Sequence, residues 1–248
     1  MTDSPDRSSA SDAAAKQAWL ANLAGKFLVF EGPDGSGKST QLKRLVEAAM
    51  AAGLGVTQVR EPGGTPVGEQ IRSVLLDPSS TMTLRAEMLL YMASRAQLVE
   101  TVVTPALRRG DLVIADRFLT STFAYQGAGG GLPEQDIRDV GRVATFGLRP
   151  DLVLIYFVDV ETATLRTRGV SGVRKKGKPT PAALQGPSLF DDRIEQRDHD
   201  FRARVHESYQ AQAKADPVHH ALLDASSSAD EVWQLTVRTL RERFVPRA

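Results

Sequence analysis

The 248-residue chain contains no cysteine. Disulfides, thiolate-ligated zinc and a thiol nucleophile are excluded, and a reduced, cytoplasmic setting is the expectation. Aromatic residues make up only 6% of the chain, and there are 4 histidines. His219 and His220 are adjacent, while His199 and His206 lie seven apart with no carboxylate pattern around them. They read as surface histidines rather than a metal site or a base. No G-x-S-x-G or H-E-x-x-H string occurs, so serine-hydrolase and zincin chemistry lack support. A net charge of +1 gives no general argument for nucleic acid or a membrane surface as partner. No apolar run approaches membrane-spanning length, and the polar, acidic opening residues are not those of a secretory signal.

What is present is ordinary for a globular protein: 42% hydrophobic and 25% charged residues, in a chain long enough for one large domain or two small ones. Residues 1–24 form an N-terminal extension, disordered at first, with a short helix capped at Ser11 or Asp12 and running to Leu23. From residue 25 to 248 short apolar runs alternate with helical stretches. The strand candidates are Phe27–Phe30, Val56–Val59, Leu112–Ala115, Leu152–Val158 and Ala221–Leu223. Most are near-continuous apolar runs, as strands covered on both faces require. Helices are expected at Lys38–Ala52, Gly68–Leu76, Leu84–Leu107 (interrupted near Pro105), Glu134–Phe146, Ala163–Arg168, His199–Ala215 and Asp230–Phe244. The expected fold is α/β, three layers with a five-stranded parallel sheet.

The first strand runs into Gly32-Pro33-Asp34-Gly35-Ser36-Gly37-Lys38-Ser39-Thr40, which fits G-x-x-x-x-G-K-[ST]. A loop that wraps a polyphosphate turns its backbone N–H groups inward, and glycine permits the conformations this needs. The helix that follows points its positive end at the same anion. Lys38 supplies a cation for the terminal phosphates and Ser39 a hydroxyl for Mg²⁺. Strand, loop and helix together predict nucleotide binding and leave the reaction open.

Other candidates lie at the same sheet edge. Asp116 ends the strand Leu112–Ala115, where P-loop proteins place a carboxylate that helps hold Mg²⁺. Arg117 follows at once, and an Asp–Arg pair bracing the loop is the alternative. Arg60-Glu61-Pro62-Gly63-Gly64-Thr65-Pro66 forms a tight turn after the second strand, either a simple turn or a substrate loop. Tyr91 and Arg95 sit one turn apart on a helix and suit a base plus a phosphate, or a core aromatic plus a surface arginine. Gly127–Leu132 reads as a glycine-rich loop before Pro133. Between Arg166 and Lys178 there are six basic residues and no acidic one. They form a solvated face or a basic flap over an anionic site.

Taken together, Phe30–Gln41, Arg60–Thr65, Glu87–Gln97, Asp116–Gly127, Pro150–Leu152 and Asp192–Glu195 resemble the motifs of the thymidylate kinase family in order and spacing. The resemblance spans Lys26 to about Phe244. It implies a P-loop kinase fold with a helical lid over about 166–195, usually a homodimer, phosphorylating dTMP to dTDP with ATP and Mg²⁺. By the same resemblance Asp34 faces the substrate sugar, with Glu61 and Pro62 beside it. Tyr91 stacks on thymine and Arg95 holds the dTMP phosphate. Arg117, Thr122 and Gln126 surround the base. Gly35 stands where some relatives carry an arginine, which shifts the catalytic cation to the lid, with Arg166 and Arg168 the nearest candidates and Arg174 a third.

Three positions depart from the family pattern: Phe118 where Tyr or His is common, Gly130 where Arg is frequent, and Phe157 in place of an acidic or polar residue. The lid is about twenty residues longer than usual, a tolerated kind of insertion. Two rival readings stay open, a kinase of another nucleotide or nucleoside, and a P-loop binding module or NTPase switch without a small acceptor.

Overall fold

The computed structural model describes residues 18–159, 161–163, 165–166 and 199–246. Most of the anticipated lid, with Arg168 and Arg174, lies outside the described residues, as do residues 1–17. A 3-10 helix, Ala18–Leu23, opens the described chain. There follow β1 (Phe27–Glu31), α1 (Lys38–Ala51), β2 (Val56–Arg60), α2 (Pro66–Leu76) and α3 (Leu84–Leu98). A π-helical turn, Val99–Val103, joins α3 to α4 (Thr104–Arg108). Next come β3 (Leu112–Asp116), α5 (Leu119–Thr122), a second π-helix (Phe123–Gly129), α6 (Glu134–Thr145) and β4 (Leu152–Phe157). The last elements are α7 (His199–Ala215), β5 (His220–Asp224) and α8 (Ala229–Phe244).

All five strands are parallel, in the order β2-β3-β1-β4-β5. The central strands bury both faces, and their alternate residues feed two cores. Leu28 and Phe30 pack with α1, α8 and the 3-10 helix, while Phe27 and Val29 pack with the π-turn, α4 and α7. This is the period of two expected of a strand between helical layers. Leu20 and Leu23 are buried in the first core, each worth about 2 kcal/mol of removed apolar surface. Among the described residues no helix is long and apolar enough to cross a membrane.

The expected strands all form, most of them one residue longer. The helix expected over Leu84–Leu107 is interrupted near Pro105 as anticipated, by the π-turn Val99–Val103, and Pro105 falls in the first turn of α4 that follows. One helical detail differs from the sequence reading. The segment Gly127–Leu132 is not all loop, because the π-helix continues to Gly129.

Candidate active site

The carboxyl ends of β1, β3 and β2 meet at one edge, the place where open parallel sheets bind ligands. Two backbone hydrogen bonds join their loops: Arg117 N donates to Phe30 O and Glu61 N to Asp116 O, both at 3.0 Å. Gly32 starts the loop after β1 with φ +132°. A Cβ there would stand 2.3 Å from the carbonyl oxygen of Tyr156, so only glycine lets the loop lie this close to β4. The loop ends at Gly37, and α1 begins at Lys38.

Asp34 stands between two cations. Lys38 Nζ donates to its Oδ1 at 3.0 Å and Arg117 Nη2 to the same oxygen at 2.8 Å. The three side chains are largely buried, so the attraction is little screened. Arg117 adopts φ +71°, a left-handed conformation that costs a non-glycine residue about 1 kcal/mol. Its partners hold it there: Nη1 donates to Ser121 Oγ at 3.1 Å and to the Tyr209 hydroxyl at 3.2 Å, and the guanidinium lies 5.2 Å from the Tyr125 ring centre.

Beneath Arg117 sits Glu31, the last residue of β1, fully buried. Oε1 accepts from the backbone N–H groups of Phe118 and Ser121 at 2.9 and 3.0 Å. Oε2 accepts from Ser121 Oγ at 2.7 Å and from the Tyr209 hydroxyl at 3.0 Å. A buried carboxylate is tolerable only when its oxygens are paired in this way. Glu31 thereby fixes the turn from Arg117 into α5. Sequence reasoning assigned no role to Glu31, Ser121 or Tyr209. The one signal available was a lone carboxylate ending an apolar strand.

The second cluster lies between α3 and the β2 loop. Arg95 is 1% exposed, not the surface arginine of the alternative reading. Its Nε donates to Glu61 Oε2 at 2.8 Å, Nη2 pairs electrostatically with the same oxygen at 2.6 Å, and Nη1 donates to Thr122 Oγ1 at 3.1 Å. Phe118 lies under the guanidinium at 5.2 Å and meets Phe27 edge-on at 5.1 Å. The aromatic departure after Asp-Arg therefore supports Arg95 from below. Glu61 Oε1 is buried with no hydrogen-bond partner. Burial raises the Glu61 carboxyl to about 7, against the lowering effect of Arg95.

Around this pair the turn is firmly held. The Glu61–Pro62 peptide bond is cis. Arg72 donates to the Pro62 carbonyl at 3.0 Å, and Gly63 N donates to Ser94 Oγ at 3.0 Å. Gln126, carried by the second π-helix, donates its amide to the fully buried Glu87 at 2.8 Å. π-helical turns of this kind redirect side chains at sites. Tyr91 is half-buried, on the helix that carries Arg95.

Asp34, Lys38 and Arg117 thus form one cluster and Glu61, Arg95 and Thr122 a second, with Gln126 on the π-helix that follows the α5 of Thr122. Asp116 Oδ1 is buried without a hydrogen-bond partner, and Ser39 opens the first turn of α1 with its side chain exposed. A bare carboxylate oxygen and a hydroxyl suit Mg²⁺, which takes one or two protein ligands and completes its shell with phosphates and water. Among the described residues no cluster of three carboxylate or histidine groups offers an all-protein cage. Arg166 is the lid candidate within the described residues. Its guanidinium donates to the carbonyls of Ala225 and Ser226 at 2.8 and 2.9 Å, in the loop after β5.

A family model described as thymidylate kinase matches residues 30–235. The chain is 42% identical over 230 residues to the thymidylate kinase of an Exiguobacterium species, covering 91% of this chain and 100% of that protein. It is 42% identical over 208 residues to that of Deinococcus radiodurans, covering 84% and 92%. Among solved structures it is similar to the thymidylate kinase of Ehrlichia chaffeensis, with TM-score 0.67 and 26% identity over 87% of this chain and 98% of that one.

Proposed function

The chain belongs to the thymidylate kinase family and is a nucleotide kinase, and from that premise we propose that it transfers the γ-phosphoryl group of ATP to dTMP, giving dTDP. The observation that carries this reading is the hydrogen-bonded unit Lys38–Asp34–Arg117, which links the phosphate loop to the arginine after β3. A binding module or NTPase switch would not need its phosphate-loop lysine coupled to an arginine on the acceptor side.

The acceptor is a phosphate oxygen, already anionic, so no base has to remove a proton. The obstacle is bringing two anions together, and positioned cations lower it. Gly32 to Thr40 cradle the triphosphate, with Lys38 on its terminal phosphates. Arg95 receives the dTMP phosphate, and Tyr91 stacks on thymine. Asp34, Glu61 and Pro62 border the sugar, while Arg117, Thr122 and Gln126 surround the base. Before substrate arrives, Asp34 and Glu61 neutralise these cations and hold them in place without mutual repulsion. Ser39 and Asp116 would hold Mg²⁺, which when bound screens the charge of the transferring phosphates. The cation at the transferring group comes from the lid, with Arg166 and Arg168 the nearest candidates and Arg174 a third; Arg166 meets two backbone carbonyls after β5 and must leave them to serve. The exposed apolar residues Val67 and Val74 on α2 and Leu89 on α3 support a homodimer.

The deciding assay offers ATP with dTMP, dUMP, dCMP, dAMP and dGMP in turn. The expected result is dTMP-dependent ADP release well above the others. Turnover of another monophosphate in place of dTMP would overturn the substrate. ATP binding with no monophosphate-dependent ADP release would overturn phosphoryl transfer itself.

A further inference from the structure

Helix α7 contributes one hydroxyl to the charged cluster, that of Tyr209, which stands 178 positions from Glu31 in the chain. The hydroxyl accepts from Arg117 Nη1 at 3.2 Å and donates to Glu31 Oε2 at 3.0 Å, with Ser121 Oγ also at 3.2 Å. The direct separation of Arg117 Nη1 and Glu31 Oε2 is 4.0 Å, beyond hydrogen-bond reach. The phenol therefore relays the cation to the carboxylate, accepting and donating through a single atom. Burial, with Glu31 nearby, pushes the hydroxyl well above the ordinary tyrosine range, which keeps it protonated as a donor. Tyr209 also meets Tyr125 edge-on at 6.5 Å, and the Tyr125 ring underlies Arg117.

A guanidinium is a rigid planar fork, so fixing one terminal nitrogen fixes the direction of the other. Arg117 Nη1 is fixed by Tyr209 and Ser121, and Nη2 points at Asp34. We infer that Tyr209 is a positioning residue for phosphoryl transfer: it anchors one end of the Arg117 guanidinium to Glu31 and so sets how the other end meets Asp34 and the incoming monophosphate. The inference rests on the acceptor-side role proposed above for Arg117 and Asp34. It makes the geometry of that site depend on the seating of α7.

The test is a double-mutant cycle of Tyr209→Phe and Arg117→Lys, run on whichever monophosphate the wild-type enzyme turns over fastest. Phenylalanine keeps the ring and its packing and removes only the hydroxyl, leaving the parallel path through Ser121 Oγ. The single change is expected to raise the KM for the monophosphate about tenfold, the scale of one hydrogen bond to a charged group, with the KM for ATP within about twofold and the Tm nearly unchanged. Lysine at 117 has no fork to orient. In that background Tyr209→Phe is expected to change the monophosphate KM by less than about twofold. Equal fold-losses in the two backgrounds would overturn the inference, since a packing role does not pass through the guanidinium. An unaltered KM in Tyr209→Phe, with or without a fall in Tm, would overturn it as well. Failure of the dTMP assignment would show in the wild-type enzyme alone and leave the cycle readable.

Discussion

Arg95 carries its charge in a fully buried position, and its partners decide what removing it does. Two of its nitrogens meet one oxygen of Glu61, whose other oxygen has no hydrogen-bond partner. Arg95→Ala therefore does more than weaken phosphate binding, because it leaves a carboxylate buried without its cation. Breaking such a pair costs about 3 kcal/mol or more when the remaining charge must stay ionised. Glu61 has an escape, since burial already raises its carboxyl to about 7 and it can take up a proton instead. Loss of Arg95 removes the lowering influence and drives that value higher. The variant is thus expected to lose more stability at about pH 8 than at about pH 6, by roughly 1.4 kcal/mol per pH unit where Glu61 stays protonated only in the folded state. The KM for dTMP should rise at least about tenfold at both. Urea unfolding at the two pH values, beside steady-state kinetics, checks both parts. A stability loss independent of pH would show that Glu61 does not inherit the cost.

At the level of elements, the contact that seats α7 runs through a glycine. A Cβ at Gly129, in the second π-helix, would lie 2.6 Å from the Phe201 ring and 3.0 Å from a Val205 methyl, both on α7. Gly129→Ala is expected to force the helices apart and lower the unfolding free energy by about 1–3 kcal/mol, the cost of overpacking, as read by urea titration. A stability equal to wild type would mean that α7 yields freely. Composition pointed to a glycine-rich loop here. Gly127, Gly129 and Gly130 instead allow close approach of neighbouring helices, while Gly131, at φ +88°, serves the turn, and no local pattern distinguishes the two uses. The same limit applies to Val99–Val103, since a π-turn leaves no periodic mark. The strands were legible because Phe27–Phe30 and Leu112–Ala115 are buried on both faces and carry almost only apolar side chains. The phosphate loop was legible because backbone geometry dictates its glycines. Local sequence could not reveal that Tyr209 completes a network begun at Glu31, or that Arg95 is buried, since each depends on partners from distant elements.

For the molecule as a whole, a net charge of +1 keeps the long-range field weak, so the pH dependence of stability near neutrality is left to a few buried groups. Two kinds oppose one another. Glu61 is raised from 4.5 to about 7, so the stability it contributes is fully present below about 4.5 and is lost as pH rises through about 7. His206 and His220 are lowered from 6.5 by burial, so the stability they contribute is present above about 6.5 and is lost as pH falls below it. The lowered carboxylates Asp77, Asp111, Asp159 and Asp224, all from 3.8, withdraw their contributions only in more acid solution. Where the two ranges overlap, just below about pH 6.5, the wild-type curve is accordingly a difference between one falling and two rising contributions. Glu61→Gln removes the falling one and leaves the rising ones in place. The variant is expected to show stability that climbs with pH across this window. The stability difference between the two proteins should move in the variant's favour by up to about 3 kcal/mol as pH rises, from the size of the shift and roughly 1.4 kcal/mol per pH unit, whatever Glu61→Gln costs Arg95 at the acid end. Guanidinium or urea unfolding of both proteins at closely spaced pH values measures that difference directly. A difference that stays flat, or narrows as pH rises, would place the ionisation of Glu61 in the ordinary carboxylate range and make Arg95 the stronger influence on it.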